Sequence, residues 1–310
     1  MVASMRNHSV TLALSAAALV MAGYAAWLAA PIGDLSTWLI TAVVAFIGLA
    51  TLAAVAAGAT RVKQGIAATL LSINGVVSMS SFLGISLLAF DPYGDPRYAL
   101  FLSAIIALAV VGLIRGWFLC RWLALALAAA GILSAGLNLV RWTDFRGAYT
   151  WTLAIHISGA LLVLATLLGA DVRARFEKKA APVWTSREPL LRALRVTIIA
   201  ILAAIPMLLV YGWMQPVAPA TGTTAIILAA FLSVSVALAA RRKVIGALGL
   251  VLGGLALLAQ TGATVALAYS ASSEAGWIAL YYVVFWTPAG LAALVCGCFL
   301  IRPALRLLRR

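Results

Sequence analysis

Long uninterrupted apolar stretches recur along the whole chain, and they constrain its fold more than any other feature. A helix needs about 20 apolar residues to cross the roughly 30 Å hydrocarbon layer of a bilayer. A transmembrane β-barrel would instead alternate apolar and polar residues over segments of about ten residues, whereas these stretches are continuously apolar. We therefore predict an all-α, polytopic membrane helical bundle of about ten transmembrane helices, at approximately Val10–Ala30, Trp38–Ala59, Gly65–Phe90, Tyr98–Ile114, Trp122–Val140, Thr150–Ala170, Val196–Met214, Thr223–Ala240, Val244–Tyr269 and Gly276–Ile301.

The residue composition argues against a soluble globule. Hydrophobic residues make up 65% of the 310 positions and charged residues only 10%, whereas soluble domains carry about 25% charged residues. So few polar residues cannot cover the surface of a globule of this size. The net charge of +14 does not indicate nucleic-acid binding, because the basic residues form short clusters between the apolar stretches. We expect membrane lipids as partners and no nucleic acid.

The distribution of Lys and Arg predicts how the bundle is oriented. With the N-terminus inside, the predicted cytoplasmic segments hold 19 of the 22 basic residues, all except Arg97, Arg141 and Arg146. Cytoplasmic loops of membrane proteins carry such an excess of basic residues. We therefore predict that both termini are cytoplasmic (N-in/C-in). The expected location is the plasma membrane of a cell, as a multi-pass protein of a bacterial inner membrane.

A basic stretch divides the chain into three regions. Residues 171–195 contain seven Lys and Arg residues, and they join six predicted helices in residues 1–170 to four in residues 196–310. The stretch either lies on the anionic inner leaflet or is a solvated linker. Helices one to four and seven to ten share some spacing of aromatic, proline and basic residues. This similarity would fit a parallel internal repeat about an axis along the membrane normal.

Small residues at helical spacing predict where helices approach one another. In lipid, helices associate through close packing at small residues rather than through the hydrophobic effect. Three such rows occur, and we interpret them as helix–helix contacts within the bundle. They are Ala50/Ala54/Gly58, Gly131/Ala135 and Gly249/Gly253.

Polar side chains within the predicted helices mark the candidate site. At about 1.5 Å per residue, most of them lie between mid-membrane and the outer surface. Amide and imidazole groups at that depth must face one another or water. They therefore either form hydrogen bonds between helices or line a polar cavity that opens outward. For such a cavity we predict Asn74, Asn138, Arg141, His156 and Gln260 as substrate-binding residues.

Charged residues of two outer loops would surround the mouth of this cavity. The loop from Asp91 to Arg97 contains Pro and Gly residues that favour a rigid turn. Its two carboxylates could hold a divalent cation or act on a substrate, or one of them could pair with Arg97 in an ordered turn. The predicted outer-loop charged cluster consists of Asp91, Asp95, Arg97, Asp144 and Arg146.

The sequence indicates neither a metal site nor a cofactor. The two histidines, His8 and His156, lie on opposite sides of the predicted membrane, so one chain cannot provide two axial ligands to a haem. Cys296 and Cys298 lack the further ligands that a zinc site requires. We expect no metal and no cofactor, and we assign no catalytic residue.

Three functional classes remain open. The favoured one is a permease or export component for a small or amphiphilic solute that uses the outward polar layer. The second is a non-catalytic subunit or assembly factor of a larger membrane complex, which would have other membrane subunits as partners. The third is an enzyme that acts on lipid-linked substrates at the outer face through Asp91, Asp95 or Asp144. No named catalytic motif is present, so we expect that the chain is not an enzyme.

Overall fold

The described part of the chain is all-α, as predicted. The computed structural model describes residues 2–82, 96–141, 147–177, 197–198, 200–201, 204, 219–240, 243–270 and 273–308. These residues form ten helices that we number in chain order. They are α1 (Val2–Ala29), α2 (Leu35–Ala56), α3 (Thr60–Phe82), α4 (Pro96–Arg115), α5 (Phe118–Arg141), α6 (Ala148–Leu167), α7 (Ala170–Glu177), α8 (Pro219–Ala240), α9 (Val244–Ser270) and α10 (Ser273–Leu308).

Six helices in the described ranges are long and apolar enough to cross a membrane: α1, α2, α5, α6, α9 and α10. This property is consistent with a membrane-embedded protein. Helices α4 and α8 contain shorter apolar stretches, Leu102–Arg115 and Ile227–Val236. The seventh predicted helix, Val196–Met214, falls largely outside the described residues. The count of ten crossings, the N-in/C-in topology and the internal repeat stay predictions.

The chain forms two compact units, Met1–Ala180 (unit 1) and Ala181–Arg310 (unit 2). Unit 1 contains helices α1 to α7, and unit 2 contains helices α8 to α10. The division into 1–170, 171–195 and 196–310 stays a prediction.

Helix α6 is the interior helix of unit 1. Of its apolar span 72% is buried, compared with 33% for the spans of α1, α2 and α5. The Ser158 hydroxyl donates a hydrogen bond to the Ala18 carbonyl of α1 (2.8 Å). The Trp151 indole N–H donates to the Thr41 hydroxyl of α2 (2.9 Å), and α6 also packs against α3 and α5. Most of α6 is therefore surrounded by protein rather than by lipid.

Two tight turns of unit 1 depend on glycine. Gly58 (φ 65°) follows α2, and Gly116 (φ 73°) separates α4 from α5; glycine adopts this left-handed conformation without steric cost. The prediction that Gly58 extends a row of helix contacts with Ala50 and Ala54 is wrong. Gly58 lies beyond the C-cap of α2, in the turn, whereas Ala54 is buried as expected.

The first part of the predicted linker forms helix α7. Its Val172 and Phe176, one turn apart, are fully buried in the same hydrophobic core as Leu113 of α4 and Leu167 of α6. This short helix is therefore a packed part of unit 1 and not a solvated segment. The remainder of the predicted linker, residues 178–195, lies outside the described residues.

Glycines allow close approach between the helices of unit 2. A Cβ atom at Gly246 of α9 would collide with the backbone of Ala239 of α8. Cβ atoms at Gly249 and Gly253, one and two turns further along α9, would collide with side chains of α8. Glycines also allow close approach between α9 and α10. The predicted contact at Gly249/Gly253 is confirmed. In lipid, close packing at small residues drives the association of helices, because the hydrophobic effect does not.

Cysteine labelling tests the predicted orientation. In a chain whose three native cysteines are replaced by serine, a cysteine introduced at Asp34 should react with a membrane-impermeant thiol reagent in intact cells. A cysteine at Lys178 should react only after permeabilisation, because the 19-to-3 distribution of basic residues places it inside. Reaction at Lys178 in sealed cells would contradict the N-in/C-in topology.

Candidate functional site

Four of the five predicted substrate-binding residues have described side chains. Asn74, Asn138 and His156 belong to α3, α5 and α6 of unit 1, and all three are partly buried. Gln260 belongs to α9 of unit 2 and is also partly buried. Arg141 ends α5, but its side chain lies outside the described residues. The same holds for the predicted outer-loop cluster of Asp91, Asp95, Arg97, Asp144 and Arg146.

His156 lies near the middle of the interior helix and faces α5. A Cβ atom at Gly131 of α5 would lie 2.8 Å from the His156 Nε2 atom, so glycine provides the space that the imidazole occupies. One turn along α5, Ala135 packs against Leu153 and Ile157 of α6. The predicted helix contact at Gly131/Ala135 is confirmed. Among the residues that the structure describes, none forms a hydrogen bond with the His156 imidazole.

Asn138 and His156 lie at different depths. Asn138 is seven residues beyond Gly131 on α5, which corresponds to about 10 Å along the helix axis. Because Gly131 contacts His156, the Asn138 amide lies about 10 Å from the imidazole along the axis of α5. Its Nδ2 atom donates to the Ser134 carbonyl of its own helix (3.1 Å). Asn138 is therefore on the same face of α5 as Gly131, but it does not touch His156.

The other two predicted substrate-binding residues with described side chains are Asn74 and Gln260. Asn74 is on α3, which packs against α6, and it lies eight residues before the end of α3 at Phe82. Gln260 lies one turn before Thr264, whose hydroxyl donates to the Gln260 backbone carbonyl (2.9 Å). The convergence of these residues with His156 on one site stays a prediction.

The end of unit 1 that carries Arg61, Arg115 and Arg175 (the basic end) holds a network of buried polar groups. The Lys63 ammonium lies 2.6 Å from an Asp171 carboxylate oxygen, and the Thr60 hydroxyl donates to the same oxygen (2.6 Å). The Lys63 side chain is only 4% exposed, and that of Asp171 is 34% exposed. This ion pair joins the beginning of α3 to the beginning of α7.

A second cation binds the end of the interior helix. Arg121, 4% exposed, donates from Nε (3.0 Å) and Nη2 (2.8 Å) to the carbonyl of Leu167, the last residue of α6. The last carbonyls of a helix have no partner within it, and the negative end of the helix dipole favours a cation there. Arg121 of α5 therefore caps α6 from a different helix.

Gln64 links two further helices at this end. Its Nε2 atom donates to the Leu113 carbonyl of α4, which ties the first turn of α3 to the last turn of α4. The Gln64 Oε1 atom and the indole nitrogen of Trp122 are buried and lack a partner among the described residues. Together, Thr60, Lys63, Gln64, Arg121 and Asp171 (the basic-end cluster) connect α3, α4, α5, α6 and α7.

The Asp171 carboxyl is held in its charged form. Partial burial raises its pKa, but hydrogen bonds from Lys63 and Thr60 and the charge of Lys63 outweigh burial and hold the pKa below its ordinary value. The pairing therefore contributes stability that is complete above the ordinary Asp pKa of about 3.9. This contribution is lost as the pH falls through the lowered pKa of the folded chain.

Sequence reasoning missed the basic-end cluster. It interpreted Lys63 and Arg121 as markers of orientation, although both are buried. One signal was present, because Asp171 stands at the start of a basic stretch, where a carboxylate can pair with a cation. No family model, no curated protein and no solved structure matches the chain, so its function has to be inferred from these residues alone.

Proposed function

We propose that the chain is a permease or export component for a small or amphiphilic solute, which binds in unit 1 between His156 and the end opposite the basic end. The observation that carries this proposal is the environment of His156. An imidazole at the middle of an interior membrane helix needs a hydrogen-bonding partner, water or a solute. No described residue supplies that partner, and Nε2 lies against Gly131 of α5, which has no side chain to bond it.

The basic-end cluster supports the same proposal. A permease in one of its states must be closed on one side of the membrane while its solute site is open to the other. The buried contacts of Lys63 with Asp171 and of Arg121 with Leu167 hold the ends of four helices together. The excess of basic residues predicts that this closed end is cytoplasmic, so the direction from His156 towards Asn138 leads outward.

The chemistry of Asn138, His156 and the side chains between them indicates the class of solute. Asn138 and His156 offer neutral hydrogen-bond donors and acceptors, and the side chains packed between them are apolar, including Leu153 and Ile157. No predicted helix has a carboxylate near mid-membrane, so the region around His156 lacks the fixed negative charge that a cation site needs. These properties favour a neutral or amphiphilic solute.

A solute screen with two variants tests the proposal. Purified protein is heated with a panel of neutral and amphiphilic solutes, and those that raise its melting temperature are assayed for transport in proteoliposomes. His156→Ala should abolish the solute-dependent shift and transport, and Asn138→Ala should weaken both. Ser72→Ala is the matched control, because Ser72 is an exposed polar residue of α3 whose hydroxyl donates only to the Ala68 carbonyl of its own helix.

Two results would contradict the proposal. If His156→Ala lowers thermal stability but leaves transport per folded molecule unchanged, the histidine only joins helices. If no solute stabilises the wild-type chain and it purifies with a stoichiometric membrane partner, the complex-subunit alternative replaces the permease.

A further inference from the structure

Two exposed arginines lie at the basic end of unit 1, one on α3 and one on α7. Asp171 binds Thr60 and Lys63, so α7 is fixed against the first turn of α3. Arg61 directly follows Thr60, and Arg175 lies one helical turn beyond Asp171 on the same face of α7. Both side chains are exposed, and neither contacts an acidic side chain among those that the structure describes.

The neighbouring turn between α4 and α5 adds a third cation and an interfacial aromatic residue. The bond from Gln64 to the Leu113 carbonyl places this turn beside the start of α3. The Arg115 guanidinium lies 5.5 Å from the centre of the Trp117 ring, and Trp117 is exposed. Tryptophan prefers the depth of the lipid headgroups, so this pair marks that depth on the surface of unit 1.

Exposed aliphatic side chains begin immediately beside these cations. Val62 follows Arg61 and is 53% exposed, and Ile114 precedes Arg115 and is 65% exposed. In a bilayer, such side chains contact acyl chains. Positive charge at headgroup depth next to an exposed apolar wall matches the two halves of an anionic phospholipid, a negatively charged headgroup and its acyl chains.

From this arrangement we propose that the basic end of unit 1 binds an anionic phospholipid, with the headgroup at the exposed cations Arg61 and Arg175 and the acyl chains along Val62 and Ile114. Guanidinium groups bind phosphate through paired hydrogen bonds. The packing of α7 through Val172 and Phe176 holds Arg175 in place before the lipid arrives. A soluble phosphate would use the cations alone and leave the aliphatic wall unoccupied.

Native mass spectrometry of the full-length chain in detergent measures this binding. The probe is phosphatidylglycerol, with phosphatidylcholine of the same acyl chains as the neutral comparison. We expect the Arg61→Gln/Arg175→Gln variant to bind phosphatidylglycerol about 30-fold more weakly, at roughly a five-fold loss for each basic residue near the headgroup. Lys243→Gln is the matched control, because it removes an exposed basic side chain of unit 2 and should leave the affinity within about three-fold.

Three outcomes would overturn the proposal. They are equal binding of the two lipids to the wild-type chain, unchanged affinity in the double variant, and full competition by soluble glycerol phosphate, which would indicate an anion site without a lipid requirement. If the double variant does not fold, the wild-type chain still provides a test. Its preference for phosphatidylglycerol should decrease as salt concentration rises, and a preference independent of salt would contradict the electrostatic contact.

Discussion

Replacement of Asp171 by alanine should destabilise unit 1 more than replacement of Lys63 by methionine. Asp171→Ala leaves the ammonium of Lys63, which is 4% exposed, buried without its counterion. Removal of one partner from a fully buried pair costs about 3–5 kcal/mol. Because Asp171 is a third exposed, we expect about 2–3 kcal/mol. Lys63→Met removes the buried charge itself and leaves Asp171 partly in contact with water, so its cost should be about 1 kcal/mol.

The double variant provides the control for this prediction. Lys63→Met/Asp171→Ala removes both charges, so it should be more stable than Asp171→Ala alone when unfolding in mixed detergent is measured. Asp171→Ala should also weaken the fall in stability at acid pH, because the wild-type carboxyl has a lowered pKa. Simple addition of the two single effects would show that the two residues do not interact.

Replacement of Gly246 by alanine should destabilise unit 2, although alanine is the better helix former. The new Cβ atom would collide with backbone atoms of Leu238 and Ala239, and backbone cannot move aside as a flexible side chain can. Overpacking of this kind costs about 1–3 kcal/mol, which exceeds the gain of about 1 kcal/mol from helix propensity. The change should appear as a lower melting temperature in detergent.

Gly262→Ala is the matched control on the same helix. Nothing lies within 4 Å of a Cβ atom at Gly262, so only the propensity gain applies, and this variant should be as stable as the wild type or up to about 1 kcal/mol more stable. Equal stability of the Gly246 and Gly262 variants would show that α8 and α9 are further apart than the structure has them.

Sequence reasoning predicted the helices well where apolar stretches are continuous. The prediction Val244–Tyr269 differs by one residue from α9, because Lys243 and a polar segment bound this stretch. It missed α7, because only two large apolar residues, Val172 and Phe176, occur in a charged segment of eight residues. Short helices give too few turns for a periodic pattern to be recognised.

The sites could be predicted only in part, because a sequence does not show which helices are neighbours. Polar residues and small residues at helical spacing identified His156 and Gly131 as residues of interest, but their contact depends on α5 facing α6. Counts of basic residues treated Arg61 and Lys63 alike, although they are two positions apart and one is exposed while the other is buried. That difference depends on the rotation of α3 against α7, which is set by packing.

The distance along the chain between the partners of the basic-end cluster has a consequence for biogenesis. Thr60 and Asp171 are separated by 111 positions, and synthesis proceeds from the N-terminus. Lys63 is therefore synthesised long before the carboxylate that it binds, whereas Arg121 precedes the carbonyl of Leu167 that it caps by only 46 positions. Formation of the contact between Lys63 and Asp171 is thus a late event in assembly, because it requires that helices α1 to α6 have already been synthesised.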